Sequence, residues 1–157
     1  MLEVNAEFLV RKAEQLINEE YNFKDGIQLY KAAAVLYRNN NQLNLSAATL
    51  LKIGVILQDQ DNFYQEAIEA YQEVAKIHLS ENNQESYSNA LMSAAFVAQK
   101  AENNALAIQL FLKAGKGYQE VAEKYWQDKE TVLAWDNIQL SCRCWKNILR
   151  ISDSSTS

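Results

Sequence analysis

The sequence predicts an all-α chain: three antiparallel helical hairpins stacked as a right-handed solenoid and closed by a seventh helix. Three observations lead there. The 157 residues include no proline and only four glycines, so little in the chain breaks a helix. A stretch recurs three times, beginning at Gly26-Ile27, Ala67-Ile68 and Ala107-Ile108, with starts 41 and then 40 residues apart. A fixed period of this length with matched apolar positions marks a repeat architecture. Upstream of each copy lies a second pattern, in which the small residues Ala13, Gly54 and Ala95 are 41 apart each time.

The recurring stretch is helical because of its spacing. In each copy a small residue is followed four later by an aromatic and three later by a second small or β-branched one: Gly26/Tyr30/Ala33, Ala67/Tyr71/Val74 and Ala107/Phe111/Ala114. Those intervals put all three on one helical face. The small residue admits a neighbouring helix, and the aromatic fills the gap beyond it. The upstream pattern supplies the partner helix of each hairpin. One hairpin cannot bury its own apolar face, so stacked neighbours complete the core.

Taken in order, the first helix is expected over about 3–19, with Phe8, Leu9, Ala13, Leu16 and Ile17 as its stripe. Tyr21-Asn22-Phe23 connects it to a second helix over about 24–38, which stops at Asn39-Asn40-Asn41, residues suited to turns and caps. Asn44 or Ser46 is expected to cap the third helix, which ends near Gln58; Asp61 or Asn62 would cap the fourth, over about 63–79. Ser80-Glu81-Asn82-Asn83 forms the next loop. The fifth helix spans about 84–101, and a sixth ends near Tyr125, after Glu102-Asn103-Asn104. The seventh is expected from about Asp128 to Ile151, with Trp135, Ile138, Cys142, Trp145 and Leu149 as an apolar stripe that covers the end of the third hairpin. Residues 1–151 make one domain, and 152–157, without apolar content, a disordered tail.

The small–aromatic–small phrase resembles the downstream half of the tetratricopeptide motif. The period here is longer than that family's about 34 residues, and the proline that ends its repeats is absent. Longer helices of this kind are similar to the tetratricopeptide-like repeats of the SNAP family, the soluble adaptors of membrane-fusion machinery. Ser46-Ala47-Ala48 opening a helix and the phrase Glu66-Ala67-Ile68 carry that resemblance, over about residues 8–122. It implies a non-catalytic adaptor in vesicle fusion or intracellular trafficking, with a helical or extended segment of another protein as its partner. It implies a cytoplasmic protein, peripheral to membranes through that partner. The family's exposed apolar loop between its first helices is reduced here to Tyr21-Asn22-Phe23.

Composition narrows function by exclusion. The net charge of −5 disfavours nucleic acid and anionic membranes as main partners. No apolar run approaches the length of a membrane span, and the start Met1-Leu2-Glu3 lacks the basic region of a signal peptide. Cys142 and Cys144, two apart on one helix, point away from each other and should stay reduced, as in an intracellular protein. They lack the further ligands that zinc needs; Cys142 is expected in the core stripe and Cys144 at the periphery. His78, the only histidine, stands where the other copies carry Tyr37 and Tyr118, which asks for a ring with a polar tip rather than a proton shuttle. Gly115-Lys116-Gly117 follows no strand, so it is no phosphate loop. No catalytic residue, cofactor or metal is expected.

Three surface features remain as candidates. On the first helices of the hairpins, Val10, Leu51 and Met92, with Val55 and Phe96 one turn on, form either a groove for an amphipathic helix or contacts between repeats. Asp59, Asp61, Glu66, Glu69 and Glu73 form an acidic edge, which steers a basic partner or simply keeps the chain soluble. The seventh helix, with Trp135 and Trp145, either caps the stack or docks on another chain, and the second class of function is architectural: a homodimer through that helix.

Overall fold

The computed structural model describes residues 5–155. Seven α-helices follow one another: α1 Ala6–Asn18, α2 Phe23–Asn39, α3 Leu43–Leu57, α4 Tyr64–Ser80, α5 Gln84–Lys100, α6 Asn104–Gln127 and α7 Thr131–Ser154. A short 3-10 turn, Asp61–Phe63, leads into α4, and there is no strand among the described residues. Each helix packs chiefly on its neighbours in sequence, as the hairpin repeat requires of a solenoid.

The turns use a device that composition hid. Five of the six connections close on a single non-glycine residue in the left-handed region: Tyr21, Asn41, Asn82, Glu102 and Lys129. The residue that follows folds back on the helix just ended. The N–H groups of Gln42, Asn83, Asn103 and Glu130 donate to the carbonyls of Tyr37, His78, Ala98 and Tyr125 at 2.8–2.9 Å. That satisfies carbonyls which a helix end leaves free. Asparagine then opens several helices: Asn5, Asn22, Asn83 and Asn103 accept the N–H of Phe8, Asp25, Ser86 and Leu106.

Two expected caps are corrected. Gln42 precedes α3, so Asn44 and Ser46 both lie inside its first turn, where the Ser46 hydroxyl donates instead to the Ala34 carbonyl of α2 at 2.8 Å. Asp61 and Asn62 lie in the 3-10 turn, and Phe63 takes the position before α4.

The core is the seam of small and aromatic residues. Tyr30, Tyr71 and Phe111 are buried, and so are Ala13, Gly54 and Ala95. Gly54 is needed for packing rather than conformation: a Cβ there would lie 2.8 Å from the Tyr71 ring. The Tyr71 hydroxyl donates to Gln58 Oε1 at 2.9 Å, and burial, then Asp59, pushes the phenol up to about 12.

The far end departs most from expectation. α6 runs two residues past Tyr125, α7 starts at Thr131 rather than near Asp128, and it continues through Ser154. Ser152 and Ser154 of the expected disordered tail are therefore helical, their hydroxyls donating to the Ile148 and Ile151 carbonyls. Thr156 and Ser157, like Glu3 and Val4 of the expected first helix, lie outside the described residues. α7 does cover α6, but with a neighbouring face. Ala134, Asn137, Ser141, Cys144 and Ile151 are buried, whereas Trp135, Ile138, Cys142 and Leu149 are exposed and Trp145 is half-buried. The two cysteines thus exchange their expected places. The cause is close approach. Ser141 donates to the Gly115 carbonyl at 2.9 Å, and a Cβ on Gly115 would lie 3.2 Å from the Cys144 Cβ. Small residues bring the helices together, and the bulky ones are left at the flank.

Candidate functional site

The residues expected on the first-helix face divide into two groups. Val10, Met92 and Phe96 pack against the core. Phe96 meets Phe111 edge-to-face at 5.0 Å, and the Arg143 guanidinium of α7 lies 5.2 Å over its ring. Met92 Sδ lies 3.9 Å from the Tyr118 hydroxyl, which donates to Asn89 at 2.6 Å. Leu51 and Val55 are instead exposed, at 43% and 51%. With Leu45 and Ala48, also exposed, they make an apolar row at intervals of three, three and four along α3. Lys52, beside that row, reaches Glu14 of α1 at 2.6 Å and ties the two first helices together. Leu45 and Ala48 were not singled out from the sequence. The signal was there: α3 is apolar on nearly every side, more than burial in a two-sided stack requires.

The acidic edge is not one surface. Asp59 pairs with Lys100 of α5, and Asp61 accepts the Tyr64 hydroxyl at 2.8 Å. Glu66, Glu69 and Glu73 lie on α4 at intervals of three and four and form one wall of a cleft. Glu73 is held below the usual carboxylate range, first by Lys76 and then by Arg38, whose guanidinium crosses from α2 at 3.3 Å.

On α7, Trp135 is 59% exposed. Trp145 donates through Nε1 to Ser141 Oγ at 3.1 Å, against Gly115. Trp126 of α6 and Ile138 of α7 border a shallow pocket with Gln119 and Glu123. The uncovered flank has an internal counterpart. Ser46 of α3 and Ser141 of α7 make the same bond to the preceding helix, at repeat-equivalent residues Ala34 and Gly115. Aligned on that bond, Ile138, Cys142, Trp145 and Leu149 fall on Leu43, Ala47, Leu50 and Gly54 of α3. Gly54 meets Tyr71 of α4, so this is the row that α3 turns to the next helix.

His78 is half-buried with its Nδ1 3.6 Å from the Glu81 carboxylate, while its repeat partner Tyr118 is fully buried. Among the described residues, no group of three or more His, Cys, Asp or Glu could hold a metal ion, and no helix is long and apolar enough to cross a membrane.

Stacked hairpins with exposed apolar rows on their helices define a helical-repeat scaffold. The family model for the soluble NSF attachment protein, SNAP, matches residues 6–140, from the start of α1 into the middle of α7. The chain belongs to the SNAP family, non-enzymatic helical adaptors for protein partners, and has a helical adaptor's role in general. No curated protein matches it.

Proposed function

We propose that the chain is a non-catalytic adaptor in vesicle fusion or intracellular trafficking, which receives a helical or extended segment of another protein on the α3 row. Leu51 and Val55 carry this reading. An apolar row with charged neighbours, in the middle of a stack, is how a helical partner is received in a groove. Family membership supports the pathway, and a cytoplasmic protein brought to membranes by its partner fits it. The test is retention of proteins from source-cell lysate by wild type and by Leu51→Asp/Val55→Asp, with circular dichroism on both. Both residues are exposed, so the variant should remain helical and lose fusion proteins that wild type retains. A helical variant that retains the same proteins removes α3 as the docking face.

A second reading is self-association through α7. Its support is the flank Ile138, Cys142, Trp145 and Leu149, which repeats the row that α3 gives to its successor, with Trp135 exposed beside it. Equilibrium sedimentation decides it. A dimer that Trp135→Lys/Leu149→Lys converts to monomer supports it, and a monomer throughout the accessible concentration range removes it.

A further inference from the structure

Between α2 and α4 runs a cleft of about 250 Å³. Ala34, Leu50, Ile53 and Ala70 form its floor, and all four are buried. Lys31, Val35 and Arg38 stand on the α2 side, and Glu66, Glu69 and Glu73 on the α4 side. The cleft has its origin in one repeat position. Ala70 stands where the other copies carry Leu29 and Leu110. Leu110 is buried in the core, and Leu106 stands in its copy where Glu66 stands here. The second repeat therefore lacks an isobutyl group in its seam, and at the rim it has a carboxylate, as the first copy has Asp25, where the third has Leu106.

We propose that this cleft docks a short helical segment of a protein partner, with one aliphatic side chain inserted over Ala70 and a lysine or arginine one turn away against Glu66 and Glu69. The inference rests on the reading of the chain as a protein-binding scaffold and names a second surface for it, on the helices α2 and α4. Size and charge choose the occupant. Lys31 to Arg38 and Glu66 to Glu73 each span seven residues, or about 10 Å of helix, so the walls are two turns long. The Arg38–Glu73 pair closes one end, and Lys76 further neutralises Glu73. Glu66 and Glu69 have no cation in ion-pair contact among the described residues; Glu69 only accepts from the Gln65 amide at 2.9 Å. Lys31 and Arg38 face three carboxylates, so the cleft keeps one net negative charge, and its apolar floor beside Glu66 and Glu69 selects a basic amphipathic segment over an acidic one.

The probe is a synthetic helix-forming peptide of about 14 residues with one central leucine and lysines one turn to either side. Its control carries glutamate for lysine. Binding is followed by methyl-labelled NMR of the full chain. The basic peptide is expected to shift the methyls of Val35, Leu50 and Ile53, and to bind at least about tenfold more tightly than the acidic one. Ala70→Leu, which restores the side chain of the other repeats, should weaken it about tenfold or more. Glu66→Gln/Glu69→Gln, which keeps the cleft but removes its charge, should weaken it severalfold, as should salt at about 0.5 M. No binding, equal binding of both peptides, or shifts confined to the methyls of Leu51 and Val55 overturn the proposal. Should Ala70→Leu fail to fold, the glutamine pair decides alone: unchanged affinity there overturns it. The scaffold reading fails separately. If the peptide does not bind while Leu51→Asp/Val55→Asp still abolishes partner retention, only the cleft is refuted.

Discussion

Cys142 and Cys144 illustrate how little a residue's identity says about its chemistry. Two positions apart on α7, they point about 200° apart around the helix, so Cys144 is fully buried and Cys142 exposed. Burial pushes the Cys144 thiol up to about 11, against a small opposing effect of Arg143. One thiol should therefore react promptly with a thiol reagent under native conditions and the second only on unfolding, with Cys142 identified as the fast site by peptide mapping. The stability consequence has a definite sign. A raised folded-state value means the protonated thiol is the form the core tolerates. Its contribution is complete below about pH 9 and is lost as pH rises through about 11. Gly54 makes the second case at this scale. Alanine there gains up to about 1 kcal/mol of helix propensity but drives a methyl into the Tyr71 ring, and overpacking costs about 1–3 kcal/mol. The ring cannot retreat freely, because its hydroxyl is held by Gln58. Gly54→Ala should lower the thermal midpoint, and a rise would mean the ring moves without cost.

At the scale of the element, the helices were legible from intervals of three and four, and the ends of α2, α4 and α5 fall within a residue of those expected, whereas α7 begins and ends three residues later. The three small–aromatic rows and the matching Ala13, Gly54 and Ala95 located α1 to α6 because helix periodicity is a local property of the chain. Most connections were placed from the sequence, but the residue that turns each was not: asparagine was read as the turn former, and Tyr21, Glu102 and Lys129 take the left-handed conformation as well as Asn41 and Asn82. For a side chain with a Cβ that conformation costs about 1–2 kcal/mol, of which a glycine's greater freedom in the unfolded chain takes back about half. Lys129→Gly and Glu102→Gly, at exposed positions, should each stabilise by about 0.5–1 kcal/mol, read as a higher midpoint in urea at unchanged slope. Asn82→Gly should gain less, since asparagine tolerates this region.

At the scale of the whole molecule, a stack in which each helix packs chiefly on its chain neighbours is nearly one-dimensional. Its ends have one neighbour and its middle two. Hydrogen exchange should therefore be slowest in α3 to α5 and faster in α1 and α7, measured by mass spectrometry on the native chain. Uniform protection would mean that α7, long as it is, holds its end of the stack as firmly as a buried repeat. Either docking on the α7 flank or occupation of the α2–α4 cleft should slow exchange locally, which separates the two surfaces in one experiment.

The repeat was readable along the chain: its period, its helical hairpins, its aromatic seam and its likeness to the SNAP family. All of these follow from spacings along the chain, which periodicity expresses directly. Tertiary structure decided which face of an apolar helix is covered. Leu51 and Met92 are equivalent in the repeat, yet Met92 packs against the core beside Tyr118 of α6 and Leu51 is exposed. The row of Trp135, Ile138, Cys142, Trp145 and Leu149 is a sound helical stripe, but α7 settles on its small residues because they allow the Ser141–Gly115 approach, and the stripe is left outside. The acidic edge divides for the same reason: its members leave the chain side by side, and packing sends Asp59 to Lys100 and Glu66 to the wall of a cleft. Burial depends on what arrives from elsewhere in the chain, and no local interval encodes that.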